Sequence, residues 1–141
     1  LTHDDADDVM QNVMLKAWTN IDSFQQQSLL STWLYRIAIN ESLNFIRSQR
    51  NKAVNIDADK QAELADRLMA DPYFDGDETA AQLQQAIASL PDVQRTVFNL
   101  RYYDNMKYSE MSQLLDTTEG ALKASYHIAV KKITEFFNQK D

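Results

Sequence analysis

Residues 89–132 read SLPDVQRTVFNLRYYDNMKYSEMSQLLDTTEGALKASYHIAVKK. Their apolar positions recur at three- and four-residue steps with no β-type alternation, so the stretch codes for three short amphipathic helices closely joined. Pro91 is placed to open the first, which runs to about residue 102. Tyr108, Met111, Leu114 and Leu115 mark the packing face of the second, over residues 108–115. Only Asp116, Thr117 and Thr118 separate it from the third, over residues 119–137. At about 100° per residue, Leu122, Tyr126, Ala129, Val130, Ile133, Phe136 and Phe137 share one side of that helix, which predicts its core face. Gly120, Lys123, Ala124, His127, Lys131 and Thr134 take the other.

Upstream, Thr79 is positioned to cap a helix on which Leu83, Ala86, Ile87 and Leu90 share a face. Residues 51–77 are acidic and lack a sustained apolar stripe, as a linker does, although Leu64 and Leu68 are spaced for a short helical turn over residues 62–69. A long helix is predicted from Ser31 or Thr32 to about residue 49, preceded by a Gln- and Ser-rich loop over residues 22–31. In residues 4–18, Val9, Met10, Val13, Met14, Ala17 and Trp18 recur as one buried helical face, and the aspartates at positions 4, 5, 7 and 8 suit the positive end of that helix dipole. The expectation is an all-α chain of two small helical domains, residues 1–53 and 79–141, joined by an acidic linker over residues 54–78.

The 141 residues are 44% hydrophobic, enough for packed cores. With no cysteine there is neither a disulfide nor a thiolate metal site, which fits a reducing cytoplasm. No apolar run approaches the roughly 20 residues of a membrane span, and no signal-peptide pattern is present. The chain starts at Leu1 rather than Met, which predicts a missing N-terminal piece. The net charge of −7 is unevenly spread. Residues 1–55 hold six acids and five bases, residues 56–80 eight acids and two bases, and residues 81–141 seven of each. Nearly all the excess negative charge therefore lies in the linker, and the helical halves are close to neutral.

Two constellations have the chemistry of nucleic-acid recognition. The last two predicted helices, joined by a three-residue turn, have helix-turn-helix spacing, and the second offers small residues for close approach and lysines for phosphates. An ordinary helical hairpin with a solvated lysine face has the same signature. On the long helix, Arg36, Asn40, Asn44 and Arg47 form a polar ladder beside Trp33 and Ile37, with Arg50 and Lys52 extending its positive end. Arginine and asparagine suit base edges and phosphates, and tryptophan offers a stacking surface; a solvated face and a core tryptophan are the plain alternatives. Catalysis is not expected. The DDADD cluster points its carboxylates different ways round a helix, His3 and His127 are far apart, and neither a phosphate-binding glycine loop nor an activated nucleophile occurs. No metal or cofactor is expected.

DDADDVMQNVMLKAW (residues 4–18), Phe24 followed by TWLYRIAINESLNFIRSQR (residues 32–50), the acidic linker and residues 90–133 together resemble the extracytoplasmic-function sigma factors of bacterial RNA polymerase, nearly end to end. The resemblance implies a cytoplasmic, non-enzymatic factor that brings core RNA polymerase to promoter DNA and is held in check by an anti-sigma factor. It assigns Asp5, Asp8, Gln11 and Asn12 to docking on the polymerase. Residues 24–31 with Trp33, Arg36, Asn40, Asn44, Arg47 and Arg50 fall to the −10 element. Thr118, Gly120, Lys123, Ala124, His127 and Lys131 fall to the −35 element in the major groove. The linker is implied to run through the polymerase cleft, where its acids can pair with basic walls.

The chain also departs from the family pattern. Asp116 stands where a small residue is common, Ser125 and Ile128 where arginine is usual, Asn44 for a frequent aspartate, and Lys107 for a serine cap. Fewer cations on the reading helix imply a weaker phosphate grip. The helix that normally precedes Leu1 is absent from the sequence, so the first domain is expected to expose part of its apolar face. Two other classes share many of these features: a helix-turn-helix regulator acting without polymerase, and a helical interaction module.

Overall fold

A computed structural model describes residues 2–24, 29–52 and 64–139, with the side chains of residues 50–52 outside that description. The described residues form seven α-helices and no strand: α1 His3–Asn20, α2 Leu30–Lys52, α3 Leu64–Ala70, α4 Glu78–Ala88, α5 Asp92–Tyr102, α6 Tyr108–Leu115 and α7 Glu119–Gln139. A 3-10 turn, Ile21–Ser23, follows α1 where the sequence predicts irregular loop. The chain divides into two compact units, Leu1–Val54 with Ser112–Asp116, and Asn55–Met111 with Thr117–Asp141. Residues 54–63 of the predicted linker lie outside the described residues; its Leu64–Ala70 segment is α3, which packs on α4.

In the first unit α1 packs against α2, burying Val9 and Val13. The predicted buried face of α1 is wider than the one observed. Met10, Met14 and Trp18 are 60%, 64% and 81% exposed. The physical reason is angular: the apolar residues of α1 spread over roughly half its circumference at about 100° per residue, and α2 covers only the Val9 and Val13 side. The uncovered side lines an apolar groove of about 840 Å³ together with Trp33 and Leu34 of α2.

The second unit is built round Ala86, Ile87 and Leu90 from α4 and its end, Phe98 from α5, and Ala129 and Ile133 from α7, with Leu83, Tyr126, Phe136 and Phe137 closing over them. Phe98 stacks on Tyr126 at 5.7 Å and on Tyr102 at 5.1 Å between ring centroids. Val130, assigned to the core face by its spacing, is 39% exposed, because it lies at the edge of the arc that α4 and α5 cover. The cap of α4 also differs from expectation. Asp77, in extended backbone, accepts the Ala80 N–H at 2.8 Å, so the helix starts at Glu78, earlier than a Thr79 cap allows. Pro91 is the N-cap of α5, with Asp92 its first residue.

Candidate nucleic-acid interface

The helix-turn-helix segment follows from local chemistry. Asp116 ends α6 with φ at 52°, a left-handed conformation that aspartate tolerates better than most residues, and this turns the chain within three residues. Thr118 then caps α7: its hydroxyl accepts the Ala121 N–H at 3.2 Å and its carbonyl the Leu122 N–H at 3.1 Å. Buried Leu122, Ala129 and Ile133 fix which side of α7 faces inward. Gly120, Lys123, Ala124, His127 and Lys131 are consequently exposed, as the sequence predicts, and Thr118 stands beside them at the helix start. A Cβ added at Gly120 would meet nothing within 4 Å, so packing within the chain does not require glycine there.

Two residues that the spacing leaves off this face lie beside it in the structure. The Lys123 Nζ lies over the Tyr108 ring, 5.6 Å from its centroid, and the Arg101 guanidinium carbon lies 4.9 Å from the same centroid. Arg101 also donates through Nη1 to the Met106 carbonyl at 3.0 Å. Periodicity alone assigns Tyr108 to packing. Positions 101, 108 and 123 belong to three different helices, and no sequence interval signals that they meet.

On α2, Arg36, Asn40, Asn44 and Arg47 are all exposed and fall within an arc of about 80° at helical spacing. Trp33 is half-buried beside the ladder, its ring 5.3 Å from that of Phe24 and inclined at 46°. Glu41, the single acid of residues 30–52, forms an ion pair with Lys16 of α1. With that carboxylate paired, the charge of the arginine ladder is not offset from its own helix. The side chain of Arg50 and residues 25–28 of the predicted −10 loop lie outside the described residues.

On α1, Asp8, Gln11 and Asn12 are exposed on one side. Asp5 has a local role. Its carboxylate accepts the Thr2 backbone N–H at 3.0 Å while its own N–H donates to the Thr2 hydroxyl at 3.1 Å, a reciprocal capping box at the helix start. The Thr2 backbone N–H is the main influence holding the Asp5 carboxyl below its ordinary range. Because the folded-state value is depressed, this contribution is present above the ordinary carboxylate range and fades as pH falls through the lowered value.

Comparison with known proteins matches two stretches of the chain to two sigma-70 regions. Residues 2–52 match sigma-70 region 2, and residues 80–133 match sigma-70 region 4. The ECF RNA polymerase sigma factor SigW of Bacillus subtilis is 33% identical over 87% of this chain and 70% of its own length. The ECF RNA polymerase sigma-E factor of Escherichia coli K12 is 29% identical over 85% of this chain and 67% of its own. Among solved structures, the sigma factor RpoE of Bartonella quintana, crystallised with the anti-sigma factor NepR, superposes with a TM-score of 0.73 at 21% identity, covering 97% of this chain and 83% of that one. That likeness bears on the fold.

Proposed function

The chain belongs to the extracytoplasmic-function sigma factors of bacterial RNA polymerase, and from that premise we propose how its exposed faces divide the work of promoter recognition. As a member of that family it directs core RNA polymerase to promoters, where it recognises −10 and −35 elements and starts transcription; its partners are core polymerase, promoter DNA and an anti-sigma factor. The exposed side of α7 reads the −35 element. Gly120 and Ala124 let the helix approach base edges, His127 reaches them, and Lys123 and Lys131 meet phosphates. Thr118 and the N-terminal end of the helix add anion affinity. The ladder of Arg36, Asn40, Asn44 and Arg47, with Trp33, serves the −10 element as the duplex opens, and a base leaving the stack there costs a few kcal/mol that such a surface offsets.

The observation that carries this reading is the pair of exposed polar faces, one on α2 and one on α7, within the region 2 and region 4 matches in that order. Run-off transcription with core polymerase on a randomised promoter library tests it. Two enriched blocks at a fixed spacing are expected, and enrichment of a single block would remove one of the two assignments. The work takes place in the cytoplasm, with the polymerase. Among the described residues no helix is long and apolar enough to cross a membrane.

Asp8, Gln11 and Asn12 dock on the polymerase, with Asp5 contributing mainly through the helix start it builds. Replacing Asp8 and Gln11 by alanine should weaken binding to core polymerase by about 1–2 kcal/mol each, the scale of an interface contact that matters. Titration of labelled chain against core enzyme measures it, and unchanged affinity would take the docking role away from this side of α1.

A further inference from the structure

We infer that Tyr108 is a positioning residue for promoter DNA: its ring holds the Lys123 ammonium in place for a backbone phosphate, while Arg101 braces the ring from α5. The inference rests on the reading of the exposed side of α7 as the DNA-facing one. Its starting point is the geometry of the three side chains, with Arg101 and Lys123 at 4.9 Å and 5.6 Å from one ring centroid. Aromatic faces carry negative charge density and attract cations at such distances.

The brace is built into the turn between α5 and α6. Asn105 is left-handed at φ 50°, and the Met106 N–H donates to the Leu100 carbonyl at 3.0 Å. This aims the Met106 carbonyl at Arg101, which donates to it at 3.0 Å and so is held from a second direction. Tyr108 is half-buried two residues further on, whereas Lys123 is exposed. The order of constraint therefore runs from turn to Arg101, from Arg101 to the ring, and from the ring to the lysine. A free lysine loses rotamer freedom when it engages a phosphate. One already resting on a ring loses less, and its ammonium keeps N–H donors for the phosphate. Two cations gathered at one ring also raise the local positive potential. The gain matters in this chain because Ser125 and Ile128 leave α7 few cations on its first turns.

The test uses the chain assembled with core polymerase and a promoter duplex, with affinity measured across a salt series. The probe at position 108 is pentafluorophenylalanine, which keeps the shape of a phenyl ring but removes the negative charge of its face, with Tyr108→Phe as the reference. Fluorination should weaken promoter binding by about two- to fivefold. It should cause no further loss in a Lys123→Met background. Lys123→Met by itself should lower the slope of log affinity against log salt by about 1. A slope unchanged by Lys123→Met would overturn both the inference and the DNA-facing reading of Lys123. A reduced slope with no effect of fluorination would overturn the positioning role alone. A fluorination effect that persists without Lys123 would overturn it too, since the ring would then act through something else.

Discussion

Phe98→Ala should cost about 3–5 kcal/mol of folding stability, the range for removing a buried phenyl ring from a core that cannot close over the gap. Phe98 is 3% exposed and sits among residues from α4 and α7, so the ring is shared by three helices. It is also stacked on both Tyr102 and Tyr126, near parallel to each at 14° and 16°. Aromatic pairs add about 0.5–1.5 kcal/mol beyond area burial, and the substitution removes two of them. A small domain has net stability of only about 5–15 kcal/mol, so the variant should be close to unfolding. Urea unfolding followed by circular dichroism measures the loss. A cost below about 1 kcal/mol would mean that Tyr102 and Tyr126 move in to fill the space. Because the second unit presents α7, the same substitution should abolish discrimination at the −35 element.

Replacing Lys123 and His127 together should remove promoter-specific transcription while leaving binding to core polymerase intact. A base-edge contact is worth about 1–3 kcal/mol, which is between about fivefold and a hundredfold in affinity at 1.4 kcal/mol per decade. The lysine acts differently: it weakens binding to all sequences alike and shows in the salt dependence. Both side chains are exposed, so neither change opens a cavity, and stability should stay nearly constant. The informative comparison is between templates with intact and scrambled −35 elements. The double variant should transcribe the two equally, and retained preference for the intact element would move base reading to other residues. The result also separates the family reading from the alternatives. A regulator acting without polymerase would lose DNA binding in the absence of core enzyme, and a pure interaction module would be unaffected.

The helices were largely legible in the sequence, because a 3.6-residue period requires only that apolar side chains recur. The α6 boundaries agree with the predicted 108–115, and α7 extends only to Gln139 beyond the predicted 137. The exposed sides of α2 and α7 were legible for the same reason, since a residue opposite a sufficiently apolar stripe has little to pack against. Cap choice was less so. Asp77 and Thr79 are both good N-cap types, and only the backbone geometry places the Asp77 carboxylate on the Ala80 N–H.

By itself the sequence determined the all-α fold class, where the acids segregate, and which two helices carry the residue types of DNA recognition. Tertiary structure alone decided how much of each stripe is covered: Val9 and Val13 are buried while Met10, Met14 and Trp18 are not, because coverage depends on the neighbouring helix and not on period. It alone brought Arg101, Tyr108 and Lys123 together from three helices. Periodicity is a property of one element, whereas a contact between side chains 15 residues apart depends on the turn that Asp116 makes between their helices.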